Sequence, residues 1–277
     1  MTRTLTDPLV LRMLEGHTRI DAGLPPWARR THPIVRRELG IYWKTLPLEL
    51  ALWTRLLLFQ AGVIVLAIPF PILYSFIMPV VTVSILLMPI VFLAYAQALL
   101  NILTFAAGSI LDERHNKTLP LLMVTPLTLD NVLFSKLAAA IWRQHDNLGL
   151  VMMSHVLLSL PLIVLQNASY YTRSGDTWLT ALAIILSLAV GLARLFVEPV
   201  MVGSLGLMLG ATTSPRIVAV IAAGGLAGMY FLMINLMRLL VLPTPWRLAL
   251  EMGLPLVVPV LVSAAALAAT ARILRAD

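Results

Sequence analysis

Long apolar stretches alternate with short polar segments along the chain, and their lengths predict membrane-spanning helices. Each stretch reaches the roughly 20 residues that an α-helix needs to cross the hydrocarbon core of a bilayer. Only Gly, Pro or single polar groups interrupt them, and the sequence lacks the short alternating segments of a transmembrane β-barrel. The pattern predicts an all-α membrane protein with six spans, at residues 53–75, 79–109, 147–166, 178–209, 216–241 and 250–272.

Prolines decide where the first predicted span ends and the second begins. Almost no polar loop separates the two, but Pro69, Pro71 and Pro79 bracket Tyr74 and Ser75. Proline removes a helical hydrogen bond and clashes with the turn before it. Prolines at this density predict a reversal of the chain or a re-entrant kink at Tyr74 and Ser75, and an even number of spans favours the full reversal.

The composition agrees with a location in the lipid bilayer. Of the 277 residues, 60% are hydrophobic and 12% are charged, which is about half the charged fraction of soluble domains. The chain has no cysteine, so it offers neither a disulfide framework nor a thiolate metal site. Its formal net charge is +7. The positive residues flank apolar spans, so membrane topology accounts for them and no nucleic-acid partner is predicted.

Lysine and arginine are distributed unevenly between the two predicted sides of the membrane. A polar arm, residues 1–50, and a central segment, residues 111–146, carry most of them, whereas Arg173 and Arg247 fall on the opposite side. Cytoplasmic loops carry the positive excess in membrane proteins. The arm therefore precedes a six-span domain at residues 51–277, and we expect both termini of the chain to be cytoplasmic. The expected location is the cell inner (plasma) membrane.

The arm ends in a pattern that predicts an amphipathic helix. Val35, Leu39 and Tyr42 share one helical face, while Arg36 and Arg37 lie on the other. A basic amphipathic helix of this kind is typical of the membrane surface, where it lies among the headgroups. The alternative is a helix whose apolar face packs against protein.

The central segment predicts two short amphipathic helices. Thr118 is placed to cap the first, Pro126 prevents its continuation, and Thr128 opens the second. The second helix carries an apolar stripe of Leu129, Leu133, Leu137 and Ile141. Such a piece either floats at the membrane surface or docks into a groove on a soluble partner.

The central segment also resembles a known family. The run GSILDERHNKTLPLLMVTPLTLDNVLFSKL is similar to the loop after the second span of permeases in the type-2 family of ATP-binding-cassette exporters. There, Glu-Arg is followed by Gly-Thr-Leu-Glu-Leu-Leu, then Thr-Pro-Leu, then Gly-Lys-Leu or Ser-Lys-Leu. Lys117 replaces the usual Gly, and Pro120 the usual Glu. The matching residues are Glu113, Arg114, Thr118, Leu119, Leu121, Leu122, Thr125, Pro126, Leu127, Lys136 and Leu137.

A second stretch, HPIVRREL, resembles the Asn-Pro-x-x-x-Arg-Glu opening of the same permeases, with His32 in place of Asn. The resemblance implies a permease that forms a homo- or heterodimer with a second permease chain. The arm would form its elbow helix, and the central segment its coupling helix between spans two and three. The residues implied to couple to a separate ATP-binding subunit are Glu113, Arg114, Thr118, Leu119, Leu121, Leu122, Thr125 and Pro126.

No site for ATP itself is predicted in this chain. A P-loop needs Gly directly before Lys-Thr or Lys-Ser, but Trp43 and Asn116 precede the two Lys-Thr pairs. We therefore expect ATP hydrolysis on a partner. We expect no enzymatic activity, no cofactor and no metal in this chain. The alternative function is a non-transporting, permease-like scaffold within a larger membrane complex. An intramembrane enzyme is a third hypothesis with little support, because no His-Glu-x-x-His motif occurs and the five histidines are scattered.

Two charges lie within the fourth apolar stretch. Arg194 and Glu198 are four residues apart, and so share one face of a helix. Ionised groups in a membrane are costly and face a partner or a wet cavity. They are either a structural pair or a part of gating and substrate passage. Pro199 follows directly, and is predicted to kink the helix or to mark its end at the interface.

Overall fold

The computed structural model describes residues 22–40, 72–118, 127–155, 177–237 and 244–276, together with residues 66, 70, 158, 159 and 162. All regular structure in this part of the chain is helical. Residues 145–155 are helical. A 3-10 turn, Pro26–Ala28, is followed by helices named α1 to α6 here, at Pro33–Leu39, Ile72–His115, Leu129–Arg143, Thr177–Thr212, Arg216–Met237 and Thr244–Ala276.

Within the described residues, four helices are long and apolar enough to cross a membrane. They lie in α2, α4, α5 and α6, at Ser84–His115, Ile185–Thr212, Arg216–Met237 and Ala249–Ala276. The described residues are therefore all-helical and suited to a membrane, as predicted, and these four helices coincide with four of the predicted spans. The other two, at 53–75 and 147–166, lie largely and partly outside the described residues, so the number six stays a prediction.

Helix α2 corrects the predicted chain reversal. It runs without a break through Tyr74, Ser75 and Pro79, so the reversal at Tyr74 and Ser75 is wrong. A proline frees only one carbonyl in the turn before it, and membrane helices tolerate this where neighbouring groups satisfy the carbonyl. The 44 residues of α2 give a length of about 66 Å, roughly twice the thickness of the hydrocarbon core.

Helices α2 and α4 pack so closely that their backbones touch. A Cβ atom added to Gly206 would lie 2.7 Å from the carbonyl oxygen of Leu103, and one on Gly210 would lie 2.5 Å from that of Ala107. Small residues at helix contacts allow the close approach that drives association in membranes. This pair forms the centre of the apolar core, which α5 and α6 complete.

Helix α3 is buried on two sides. Leu133 and Leu137, from the predicted stripe, join the main core, while Ala138 and Ala139 pack against Val35 and Leu39 of α1. Val35 is fully buried. At Val35 and Leu39, the apolar face of α1 therefore packs against protein and not among lipid headgroups. This is the alternative that the sequence left open for the amphipathic helix.

The start of α3 agrees with the sequence. Thr128 is its N-cap, and the Thr128 hydroxyl accepts a hydrogen bond from the backbone N–H of Asn131 at 3.3 Å. The 3-10 turn then packs on the same helix. The indole N–H of Trp142 donates to the carbonyl of Ala28 at 2.9 Å, and the ring of Trp27 lies 5.1 Å from that of Phe134.

Candidate functional site

Four charged side chains from α1, α2 and α3 meet where α2 ends. The charge cluster comprises Arg37, Glu38, Glu113 and Lys136. The ammonium group of Lys136 donates to Glu38 Oε1 at 2.8 Å, to Glu113 Oε1 at 3.3 Å and to the carbonyl of Ser109 at 3.0 Å. Arg37 donates to Glu38 at 3.1 Å and also to Glu113. The cluster thus joins three helices through one network.

The burial of the cluster explains why its charges are balanced. The side chain of Lys136 is 0% exposed, those of Glu113 and Glu38 are 9% and 15% exposed, and that of Arg37 is 49% exposed. A buried charge without a partner costs several kcal/mol, so ions in the interior occur in pairs or networks. Two positive and two negative groups satisfy this requirement. The contacts of the cluster therefore position the three helices relative to one another.

The end of α2 has the geometry of a Schellman motif. Thr118 N–H donates to the Glu113 carbonyl at 3.0 Å, and Lys117 N–H donates to the Arg114 carbonyl at 3.2 Å. Lys117 has a φ of +55°, a left-handed conformation that glycine adopts most easily. The Thr118 hydroxyl also donates to the Glu113 carboxylate. The turn after α2 thus holds Glu113 in place.

His32 extends the network from α1 to α3. It is the N-cap of α1, and its Nδ1 shares a hydrogen bond of 3.2 Å with the Ser135 hydroxyl. Burial lowers the pKa of His32 from its ordinary value of 6.5. A neutral imidazole suits this position, because the positive end of a helix dipole disfavours a second positive charge.

Arg114 contacts a different helix from its neighbour Glu113. Its guanidinium donates to the carbonyl of Ala211, in the last turn of α4. The carbonyls of a last helical turn have no partner inside the helix and attract cations. Glu113 therefore connects α2 to α1 and α3, while the adjacent Arg114 connects α2 to α4.

The structure brings together part of the predicted coupling site. Glu113 and Thr118 meet in the charge cluster, and Arg114 lies beside it. Sequence reasoning missed the contacts of Arg37 and Glu38, although opposite charges in two separate motifs were a signal that the motifs could pair. The remaining predicted coupling residues lie outside the described residues: Leu119, Leu121, Leu122, Thr125 and Pro126.

The second predicted site is a hydrogen-bonded network inside the bundle. Arg194 Nε lies 2.7 Å from Glu198 Oε1. The hydroxyl groups of Tyr95 and Tyr230 donate to the same carboxylate at 2.8 Å and 3.0 Å. Glu198 is 1% exposed. The predicted pair is therefore present, and the two tyrosines add α2 and α5 to it.

Prolines shape both helices beside this network. Pro199 lies inside α4, which continues to Thr212, so the pair is not at a helix end. In α6, the carbonyl of Pro255 would normally accept from the N–H of residue 259, but that residue is Pro259 and has no N–H. The Tyr230 hydroxyl also lies 3.2 Å from this carbonyl, so its single proton is shared between the carbonyl and Glu198. Tyr230 thereby links α5 to α6 as well as to Glu198.

A cavity of about 690 Å³ opens beside the Arg194–Glu198 pair. Its walls come from α2, from α4, α5 and α6, and from the helical residues after α3. Most of the lining side chains are apolar. A volume of this size is typical of sites for drug-sized molecules, about 300 to 1,000 Å³.

Neither site has the composition of a metal centre. No group of three or more metal-ligating side chains occurs within the described residues. Comparisons with protein-family models, with curated proteins and with solved structures find no match to the chain. The family resemblance therefore rests on the two sequence motifs alone.

Proposed function

We propose that the chain is the permease subunit of an ATP-binding-cassette exporter of the type-2 family, which moves a substrate across the membrane with ATP hydrolysed by a separate subunit. One observation carries the proposal. The two stretches that resemble this family are distant in sequence, yet their charged residues contact each other. Arg37 and Glu38, at the Arg-Glu positions of the first stretch, bind Glu113 and Lys136 of the second.

The turn after α2 adds support at a position where the chain departs from the family pattern. Lys117 stands where the family has Gly, and its φ of +55° is a conformation that favours glycine. The backbone at Lys117 thus has the left-handed conformation that suits the family's Gly, although Lys replaces it here. This agreement concerns local structure and is independent of the charge cluster.

The contacts also suggest how a partner would act on the spans. In the proposal, an ATP-binding subunit presses on the segment between Thr118 and Leu127. The turn at Thr118 is fastened to Glu113, and through it to α1 and α3. Arg114 is fastened to α4. A displacement of the segment would therefore move the ends of α2 and α4 together.

The finer features of the proposal follow the family and the charge distribution. They are six spans, cytoplasmic termini, a plasma-membrane location and a second permease chain. A permease-like scaffold that does not transport is the rival, because it would keep the same helices and the same cluster. Only the coupling to ATP hydrolysis separates the two.

The test is purification of the tagged full-length chain in mild detergent, with partners identified by mass spectrometry. We expect a P-loop ATPase to co-purify, and Leu122→Asp to abolish this while membrane insertion is unchanged, because a charge on an apolar docking face must be desolvated. Asn116→Asp, which adds the same charge in an exposed turn of the same segment, is the matched control and should keep the partner. Purification without any ATPase would refute the proposal. A bound ATPase whose hydrolysis is not coupled to transport would favour the scaffold.

A further inference from the structure

We propose that the cavity beside Arg194 and Glu198 is a binding site for a single-chain amphiphile with an uncharged, hydrogen-bonding head, of the monoacylglycerol type. The inference concerns ligand binding within one chain, and it holds whether or not the protein is an exporter. It rests on four features of the cavity: its polar and apolar ends, its glycine wall, a buried hydroxyl and its charge balance.

The cavity has a polar end and an apolar end. The contacts of Glu198 with Tyr95 and Tyr230 place these three residues at one level of the bundle. On the side toward the charge cluster, the lining is apolar and includes Leu99, Leu103 and Val202. On the opposite side, Ser159, Ser187, Asn235 and Glu251 occur among apolar lining residues. Polar side chains beyond the Glu198 level are thus confined to one end, which matches a molecule with a chain at one end and a polar head at the other.

Two glycines leave part of the α5 wall of the cavity without side chains. Gly224 and Gly228 are one turn apart on α5 and both line the cavity, and a Cβ atom added to either would meet nothing within 4 Å. At these two positions the backbone of α5 has open space in front of it. An alkyl chain can lie against such a strip, since small residues allow close approach along a helix.

A buried hydroxyl lies at the polar end. Ser159 is 4% exposed, it lines the cavity, and its Oγ has no hydrogen-bond partner within the described part of the protein. A buried hydroxyl without a partner costs about 1 to 3 kcal/mol. The hydroxyl or ester group of a ligand head would supply the missing hydrogen bond.

The charges around the cavity select an uncharged head. Arg194 and Glu198 neutralise each other at 2.7 Å, and Glu251 has an interaction of its own. An ionised head would therefore enter a poorly solvated site without a counter-charge, which is unfavourable. A neutral amphiphile meets this condition, because its head forms hydrogen bonds without carrying a charge.

The experiment is photolabelling of the full-length chain in nanodiscs with monopalmitoylglycerol that carries a diazirine in its acyl chain. We expect saturable labelling that excess unlabelled monopalmitoylglycerol displaces, mapped by mass spectrometry to the apolar end around Leu99 and Leu103. Palmitate, which has the same chain and a charged head, should compete about tenfold less well. Equal or better competition by palmitate would overturn the assignment of an uncharged head.

Two adjacent glycines provide a matched pair of variants. Gly224→Leu fills the cavity and should lower saturable labelling about tenfold or more. Gly225→Leu makes the same change on the exposed face, outside the cavity lining, and should leave labelling unchanged. Ser159→Ala should weaken competition by unlabelled monopalmitoylglycerol about fivefold, the equivalent of one hydrogen bond. Labelling that does not saturate, or that falls equally in both glycine variants, would show surface lipid or water only, and would overturn the site.

Discussion

Replacement of Lys136 with methionine is the most direct test of the charge cluster. Methionine keeps much of the side-chain volume and removes the charge. The ammonium group has three oxygen partners, on Glu38, Glu113 and Ser109. Without it, Glu38 and Glu113 would face each other with only Arg37 between them. The variant therefore leaves one uncompensated negative charge in a site that is nearly closed to solvent.

The magnitude follows from these contacts. Three charge-assisted hydrogen bonds at about 1.5 to 3 kcal/mol each would set an upper limit of about 9 kcal/mol. Two effects reduce it: the cost of burying the lysine is also removed, and Arg37 remains bound to both carboxylates. Loss of one partner from a buried ion pair costs about 3 to 5 kcal/mol. We expect the Lys136→Met variant to lose stability in this range.

The assay is reversible unfolding in mixed detergent micelles, followed by circular dichroism. Lys117→Met is the matched control, because it makes the same substitution at an exposed position of the same segment and should change stability by less than about 0.5 kcal/mol. Adding Glu38→Gln to Lys136→Met restores the charge balance and should recover part of the loss. A Lys136→Met protein as stable as the control would show that the cluster does not hold the helices together.

Three further predictions follow from single contacts. Lys117→Gly should raise stability by about 0.5 to 1 kcal/mol, measured in the same assay, because it relieves a left-handed backbone conformation; no gain would contradict the motif at the end of α2. Glu198→Leu should lower stability by about 3 to 5 kcal/mol. Arg194→Leu should lower it less, because two tyrosines still bind the carboxylate, and the double variant should recover most of the lost stability. Additive losses would show that the pair does not interact. Because burial lowers the pKa of His32, protonation opposes the folded state, and thermostability should fall as the pH drops below about 6.5. His32→Asn should remove this part of the pH dependence, and an unchanged profile would assign it to other groups.

The membrane helices were predictable from the sequence because hydropathy is a local property. Spans in α4, α5 and α6 agree with the apolar stretches, and the cap at Thr128 follows from local turn chemistry. The error at Tyr74 and Ser75 arose from proline, whose effect depends on the groups that surround its freed carbonyl. Propensity alone does not contain that information.

The partners within the two sites were not predictable in the same way. The spacing of Arg194 and Glu198 predicts their contact, because both lie on one helix. The hydroxyls of Tyr95 and Tyr230 reach Glu198 only through the packing of three helices. Lys136 belongs to a polar position of an amphipathic helix and would be expected to face water. It is buried because α1 covers it, a contact between segments about 100 residues apart.

The backbone contact of α2 with α4 has a consequence for motion. From residue 90 to 115, α2 contains no proline, and these 26 residues form a rod of about 39 Å. At Gly206 and Gly210, the backbone of α4 lies directly against that of α2. No side chain of α4 separates the two backbones there. A tilt of about 5° at the Glu113 end would therefore carry both helices together and shift the far end by about 3 Å. Where their backbones touch, the two helices are expected to move as one unit, so α4 would share a displacement at the Glu113 end as far as Pro199, where proline removes a helical hydrogen bond.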